Sequence, residues 1–153
     1  IVAVIAKSDV MKTSSPPNIS TDIVQSAKDI LNRVVAPVDG IQLALLCTPD
    51  GFEITALRLN SELPTERLSA MAGSLMAMAK AVATEIGHKA CKRLTFETEL
   101  GTVVFQAVTG SFPAILCLVV DKNGLLGRAL WAAGEVSIGF SNRELQQNAS
   151  VVR

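Results

Sequence analysis

Two stretches of the chain, Ile41–Cys47 (IQLALLC) and Ala114–Val120 (AILCLVV), are apolar at nearly every position. A strand with one solvated face alternates polar and apolar residues, so a run without alternation needs cover on both sides of its sheet. These two segments therefore predict central strands, with helices packed above and below. Thr48-Pro49-Asp50-Gly51 follows the first run as a turn signal: Pro presets φ, Asp accepts local hydrogen bonds and Gly tolerates positive φ. Phe52–Leu59 then returns with polar interruptions at Glu53, Thr55 and Arg58, which makes a β-hairpin.

Three more strands belong to a meander. Lys92–Glu99 alternates, with Leu94 and Phe96 on one face; Leu100-Gly101 turns the chain into Thr102–Thr109; Gly110–Pro113 leads to Ala114–Val120. Helical spacing fills the remainder. Ser20 or Thr21 caps a helix carrying Ile23, Val24, Ala27, Ile30, Leu31, Val34 and Val35, ended by Pro37 and Gly40. A long middle helix spans Thr65–Ile86, closed by Gly87, and a last helix after Asp121-Lys122-Asn123-Gly124 carries Leu125, Leu126, Ala129, Leu130, Ala133 and Val136. The order is α-β-β-α-β-β-β-α, an α/β (α+β) class fold. Neither the hairpin nor the meander makes a core alone, so both share one five-stranded antiparallel sheet of order 2-1-5-4-3 with helices on both faces. Lys92–Glu99 is then an open edge, which soluble proteins protect or use. The reading divides the chain into a flexible N-terminal segment (1–18), one domain (19–139) and a polar C-terminal tail (140–153).

The middle helix carries the strongest hint of function. Leu68, Met71, Ala72, Leu75, Ala79, Val82, Ala83 and Ile86 form the expected core stripe. Opposite them lie Ala70, Gly73, Ala77 and Ala81, flanked by Ser74 and Thr84, and no charge occurs between Arg67 and Lys80. Ala is the best helix former and could simply fill an exposed face. Exposed faces ordinarily carry Lys and Glu, however, and Gly73 costs about 1 kcal/mol relative to Ala in mid-helix. The pattern favours a second packed face.

Composition points the same way. Apolar residues make up 49% and charged residues 18%, with 14 basic and 14 acidic side chains. Zero net charge supplies no field for gathering phosphates, so a general nucleic-acid binder is disfavoured. No apolar run reaches the roughly 18 residues of a membrane span. Cys47, Cys91 and Cys117 are odd in number and lack CxxC spacing, which argues against a disulfide framework and makes the cytoplasm the default location. A mean hydropathy of +0.39 with so little charge indicates a large core or a surface buried against another chain.

Catalytic apparatus is not evident. His88 is the sole histidine and has no nucleophile elbow; His88 and Cys91 have the spacing of half a zinc site, without a second pair. No phosphate loop or dinucleotide fingerprint occurs. Glu97 and Glu99 share a strand face, which an exposed edge explains as well as acid–base chemistry does. No cofactor or metal is expected.

Taken in order, GIQLALLCTPDGFEI, ERLSAMAGSLMAMAKAVATEIG, TFETELGTVVFQAV and AILCLVVDKNGLLGRAL resemble the Roadblock/LC7 (dynein light chain-related) family, over roughly Ile23 to Val136. That resemblance implies a small domain without catalytic residues that forms homo- or heterodimers. Third strands join edge to edge and middle helices pack together. Such domains regulate Ras-like small GTPases or act as adaptor subunits. Carried onto this sequence, the dimer interface would comprise Ala70, Gly73, Ser74, Ala77 and Ala81 of the helix with Lys92, Leu94, Phe96 and Thr98 of the strand. Arg67, Met76, Lys80 and Thr84 would meet the partner, a Ras-like GTPase in the bacterial branch. A scaffold without effect on nucleotide turnover, or a small-molecule sensing domain, are the alternatives.

Overall fold

The computed structural model describes residues 18–142. The segments 1–17 and 143–153, which hold nearly all of the expected N-terminal segment and most of the expected tail, lie outside the described residues. The elements are α1 (Thr21–Ile30), β1 (Ile41–Cys47), β2 (Glu53–Arg58), α2 (Thr65–Glu85), β3 (Arg93–Thr98), β4 (Gly101–Val108), β5 (Ala114–Asp121) and α3 (Leu126–Ser141). All strand pairs are antiparallel and the sheet order is β2-β1-β5-β4-β3, as the apolar patterning predicts. The two unbroken apolar runs stand beside each other, flanked on one side by β2 and on the other by β4.

Ser20 caps α1, its hydroxyl accepting from the Ile23 N–H at 3.3 Å. The helix then widens into a π turn over Leu31–Val35, whose last bond runs from the Ala36 N–H to the Leu31 carbonyl. Leu31 and Val35 stay buried through that turn. At the other end, α3 runs to Ser141, past Gly139, where the sequence places the start of the tail. Phe140 is the reason: it is buried and meets Phe112 edge-on at a centroid distance of 6.5 Å.

The two faces of the sheet are covered unequally. On one, α1 and α3 together bury Ala44, Leu46, Val104, Leu116 and Leu118 beneath Ile30, Leu31, Ala133, Val136 and Phe140. On the other, α2 alone covers Leu45, Cys47, Phe105, Ile115 and Cys117, chiefly through Ala72 and Met76. One helix cannot cover five strands about 4.8 Å apart, because its own diameter is about 10 Å. The β3 end of this face therefore lies open.

Candidate functional site

The backbone seats α2 first. Thr48–Gly51 closes the β1–β2 hairpin with the Gly51 N–H bonded to the Thr48 carbonyl at 2.9 Å, and Gly51 has φ +94°. α2 passes directly over this turn. A Cβ on Gly73 would stand 2.8 Å from the Pro49 carbonyl oxygen and 3.2 Å from the Gly51 nitrogen. Gly73 is thus the contact at which helix and hairpin meet backbone to backbone, and its cost in helix propensity is offset within the chain. Ser69 lies on the same side, fully buried, its hydroxyl donating to the Thr65 carbonyl at 2.8 Å.

This seating corrects the sequence reading of the helix. The residues of α2 that face inward are Thr65, Ser69, Ala72, Gly73, Met76 and Ala83, mostly small, because Leu45, Phe105 and Cys117 already fill the space below. The core face is turned by roughly a quarter turn from the stripe chosen by side-chain size. Met71, Val82 and Ile86, expected inside, are exposed, and so is Met78 at 67%. Leu75 is half-buried beside them. Together they form an apolar ridge along one flank of α2.

The expected site residues divide accordingly. Gly73 does not belong to an open face, since the hairpin turn occupies it. Met76 is not a surface contact either: it is 8% exposed and sits in the core beneath α2. Ala70, Ser74, Ala77 and Ala81 are exposed on the outward side, near Arg67. The Ser74 and Thr84 hydroxyls bond back to the Ala70 and Lys80 carbonyls of their own helix. Lys80 and Thr84 lie on the flank opposite the apolar ridge.

β3 forms the other half of the site. It is an edge, and all its residues but the half-buried Leu94 are exposed. The Ala107 N–H bonds to the Lys92 carbonyl at 2.9 Å, which sets the alternation of the ladder. Even-numbered residues then spend their backbone groups on β4, while Arg93, Thr95 and Glu97 turn theirs outward. The side chains of Leu94 and Phe96 point to the α2 side. There the Phe96 ring stands 5.9 Å from that of Phe105, yet remains 42% exposed. Thr98 closes the following turn, donating to the Gly101 carbonyl and accepting from the Leu100 N–H. Arg93 is anchored on the opposite face, to Gln106 Oε1 at 2.8 Å and the Leu130 carbonyl at 3.0 Å. Sequence reasoning missed both the outward backbone of Arg93, Thr95 and Glu97 and the exposed ridge of α2. The outward parity of β3 depends on its register with β4, which the alternation of β3 alone does not give, and nothing local to α2 supplied the ridge.

The ridge and the strand lie side by side, with Val82 and Ile86 bordering a shallow hollow that Cys91 and Leu94 complete. The arrangement is therefore a contiguous apolar surface ending in a row of unpaired backbone donors and acceptors. It contains no nucleophile paired with a base. Among the described residues, no cluster of His, Cys, Asp or Glu is placed to hold a metal ion.

No family model and no curated protein matches the sequence. Solved structures do match in fold. The gliding protein MglB of Thermus thermophilus superimposes with a TM-score of 0.73 at 20% identity, over 84% of this chain and 96% of that one. The chain has the Roadblock/LC7 fold. Myxococcus xanthus MglB matches equally well, with a TM-score of 0.73 over 85% of this chain and 96% of its own, at only 12% identity. A Roadblock/LC7 domain from Streptomyces avermitilis gives 0.62 at 16% identity, over 77% of this chain and 95% of that one. At such identities the shared property is the architecture, which the open edge and single-helix face of this Roadblock/LC7-fold chain exemplify.

Proposed function

We propose that the chain is a non-catalytic, dimeric regulatory platform that binds a Ras-like small GTPase in the cytoplasm and modulates its nucleotide turnover. The observation that carries the reading is the uncovered end of the α2 face, where an apolar ridge adjoins an unpaired strand. A second copy joined through β3 would satisfy the outward backbone groups of Arg93, Thr95 and Glu97 and bring two ridges together across a two-fold axis. The interface would then use Met71, Leu75, Met78 and Val82 with Leu94 and Phe96. Ala70, Ser74, Ala77 and Ala81 would remain on the outer surface beside Arg67, as the platform for the partner. The GTPase itself comes from the sequence resemblance, and the likeness to MglB structures supports it.

A platform without acid–base groups of its own acts by positioning residues of its partner. The test is GTP hydrolysis by the Ras-like GTPases of the source organism, measured with and without this protein. Faster turnover is expected. Absence of both binding and a rate change would sink the GTPase reading, and partners captured without a GTPase would favour an adaptor. Light scattering at micromolar concentration is expected to show a dimer; a monomer would remove the interface.

A further inference from the structure

The sheet has a second free edge, β2, and it differs in kind from β3. The Leu59 N–H bonds to the Gln42 carbonyl at 2.9 Å, so alternation turns the backbone groups of Ala56 and Arg58 outward. This edge is recessed. Ile19 walls it on the α1 side and Pro64 and Thr65 on the α2 side, in a groove of about 580 Å³ that Phe52 and Glu53 line near one end of β2 and Arg58 at the other. The Arg58 guanidinium, bonded to the Thr65 hydroxyl at 3.1 Å, closes one end. Walls on both sides favour a single extended strand over a second sheet at this edge.

The chain enters the described residues at this groove, because Ile19 is both their second residue and part of its wall. Seventeen residues precede them, and the first six, Ile1-Val2-Ala3-Val4-Ile5-Ala6, are uncharged and rich in β-branched side chains. Such a segment left uncovered is an aggregation hazard. The spacer from Lys7 to Asn18 reaches up to about 40 Å, and a strand the length of β2 spans only about 20 Å. We propose that Ile1–Ala6 pairs with the β2 edge of its own chain as an added strand. A short tether holds the segment at millimolar effective concentration, which favours the same chain over a second copy. The consequence is directional. With β2 occupied, β3 is the one edge left for pairing, so assembly closes at two chains instead of growing edge to edge.

Hydrogen exchange resolved to single amides tests this on the full chain and on a chain beginning at Lys7. The Ala56 and Arg58 amides should exchange at least tenfold more slowly in the full chain, while β1 and β5 amides, which report the intact fold, exchange equally in both. Val4→Pro in the full chain should lose the same protection, since proline cannot complete a ladder. Equal exchange at Ala56 and Arg58 in the two chains overturns the proposal. So does protection that rises with protein concentration, which would place the strand on a second copy. None of these readouts depends on a GTPase or on pairing through β3.

Discussion

The two faces of the sheet solve the packing problem in opposite ways. Under α1 and α3 the large side chains of the sheet are covered by large ones: Leu116 and Leu118 meet Leu31, Val136 and Phe140, and the apolar bulk left outside is Trp131 and Ile138 on the outer side of α3. Under α2 the helix offers Ser69, Ala72, Gly73 and Ala83 to the sheet and turns Met71, Met78, Val82 and Ile86 away. On the first face the sheet itself is covered within one chain. The second is complete only at its centre, and its exposed methionines are of the type that interfaces favour. On the proposed reading, assembly would use the side of the sheet that α2 covers.

The largest expected effect tests the closed face. Phe140→Ala removes a buried ring that packs on Phe112 and should lower unfolding free energy by about 3–5 kcal/mol. Urea denaturation reads this directly, and the association constant should not change beyond what unfolding accounts for. A loss below about 1 kcal/mol would mean that the face repacks more freely than its burial implies.

The open face should respond in the opposite sense. Met78→Glu combined with Val82→Glu places two charges on the ridge without touching the core. Sedimentation should show association weakened about a hundredfold, or roughly 2.7 kcal/mol. Unfolding measured at dilutions where both proteins are monomeric should stay within about 0.5 kcal/mol of wild type. A collapse of monomer stability would show that the ridge belongs to the core after all, and the contrast between the faces would fail. Gly73→Leu, by comparison, is expected to damage the fold itself, because its side chain would meet the Pro49–Gly51 backbone.

Much of this architecture was legible in the residues. The unbroken runs of β1 and β5 require cover on both faces, and that requirement alone places them centrally and leaves β2 and β3 at the edges. The Thr48–Gly51 turn and the alternation of β3 fix the hairpins. The orientation of α2 was not legible, for a physical reason. A helix with large residues on one flank and small ones on the next can bury either, and the outcome depends on what lies below. Here Leu45, Phe105 and the hairpin turn leave room mainly for the small ones, with Met76 the one large side chain that α2 turns inward. The error moved Gly73 and Met76 onto a surface they do not occupy and hid the ridge that is exposed. The partner contacts of Arg67, Lys80 and Thr84 are not decided by packing within one chain at all.

The last expected effect is one of pH and concerns the centre of the α2 face, where Cys47 and Cys117 lie among Leu45, Ile115 and Phe105. Burial pushes both thiols up from 9.0 to about 12, with Glu53 adding to the effect at Cys47 and Cys47 adding to it at Cys117. A thiol held protonated in the folded state favours folding fully below the unfolded value, and that contribution is lost as pH rises from about 9 toward 12. Between those limits the unfolded chain has released its proton and the folded chain has not, so unfolding free energy should fall by at most about 1.4 kcal/mol per pH unit for each thiol. The chain has no tyrosine to confuse the titration. Urea midpoints at pH 8.5, 9.5 and 10.5 should therefore decline in the wild type and decline much less in Cys47→Ala/Cys117→Ala. The buried cluster beneath α1 and α3 contains no titratable side chain, so this alkaline sensitivity is specific to α2's side. An equal slope in the double variant would mean that water reaches the thiols, and that a single helix does not seal even the middle of the sheet it crosses.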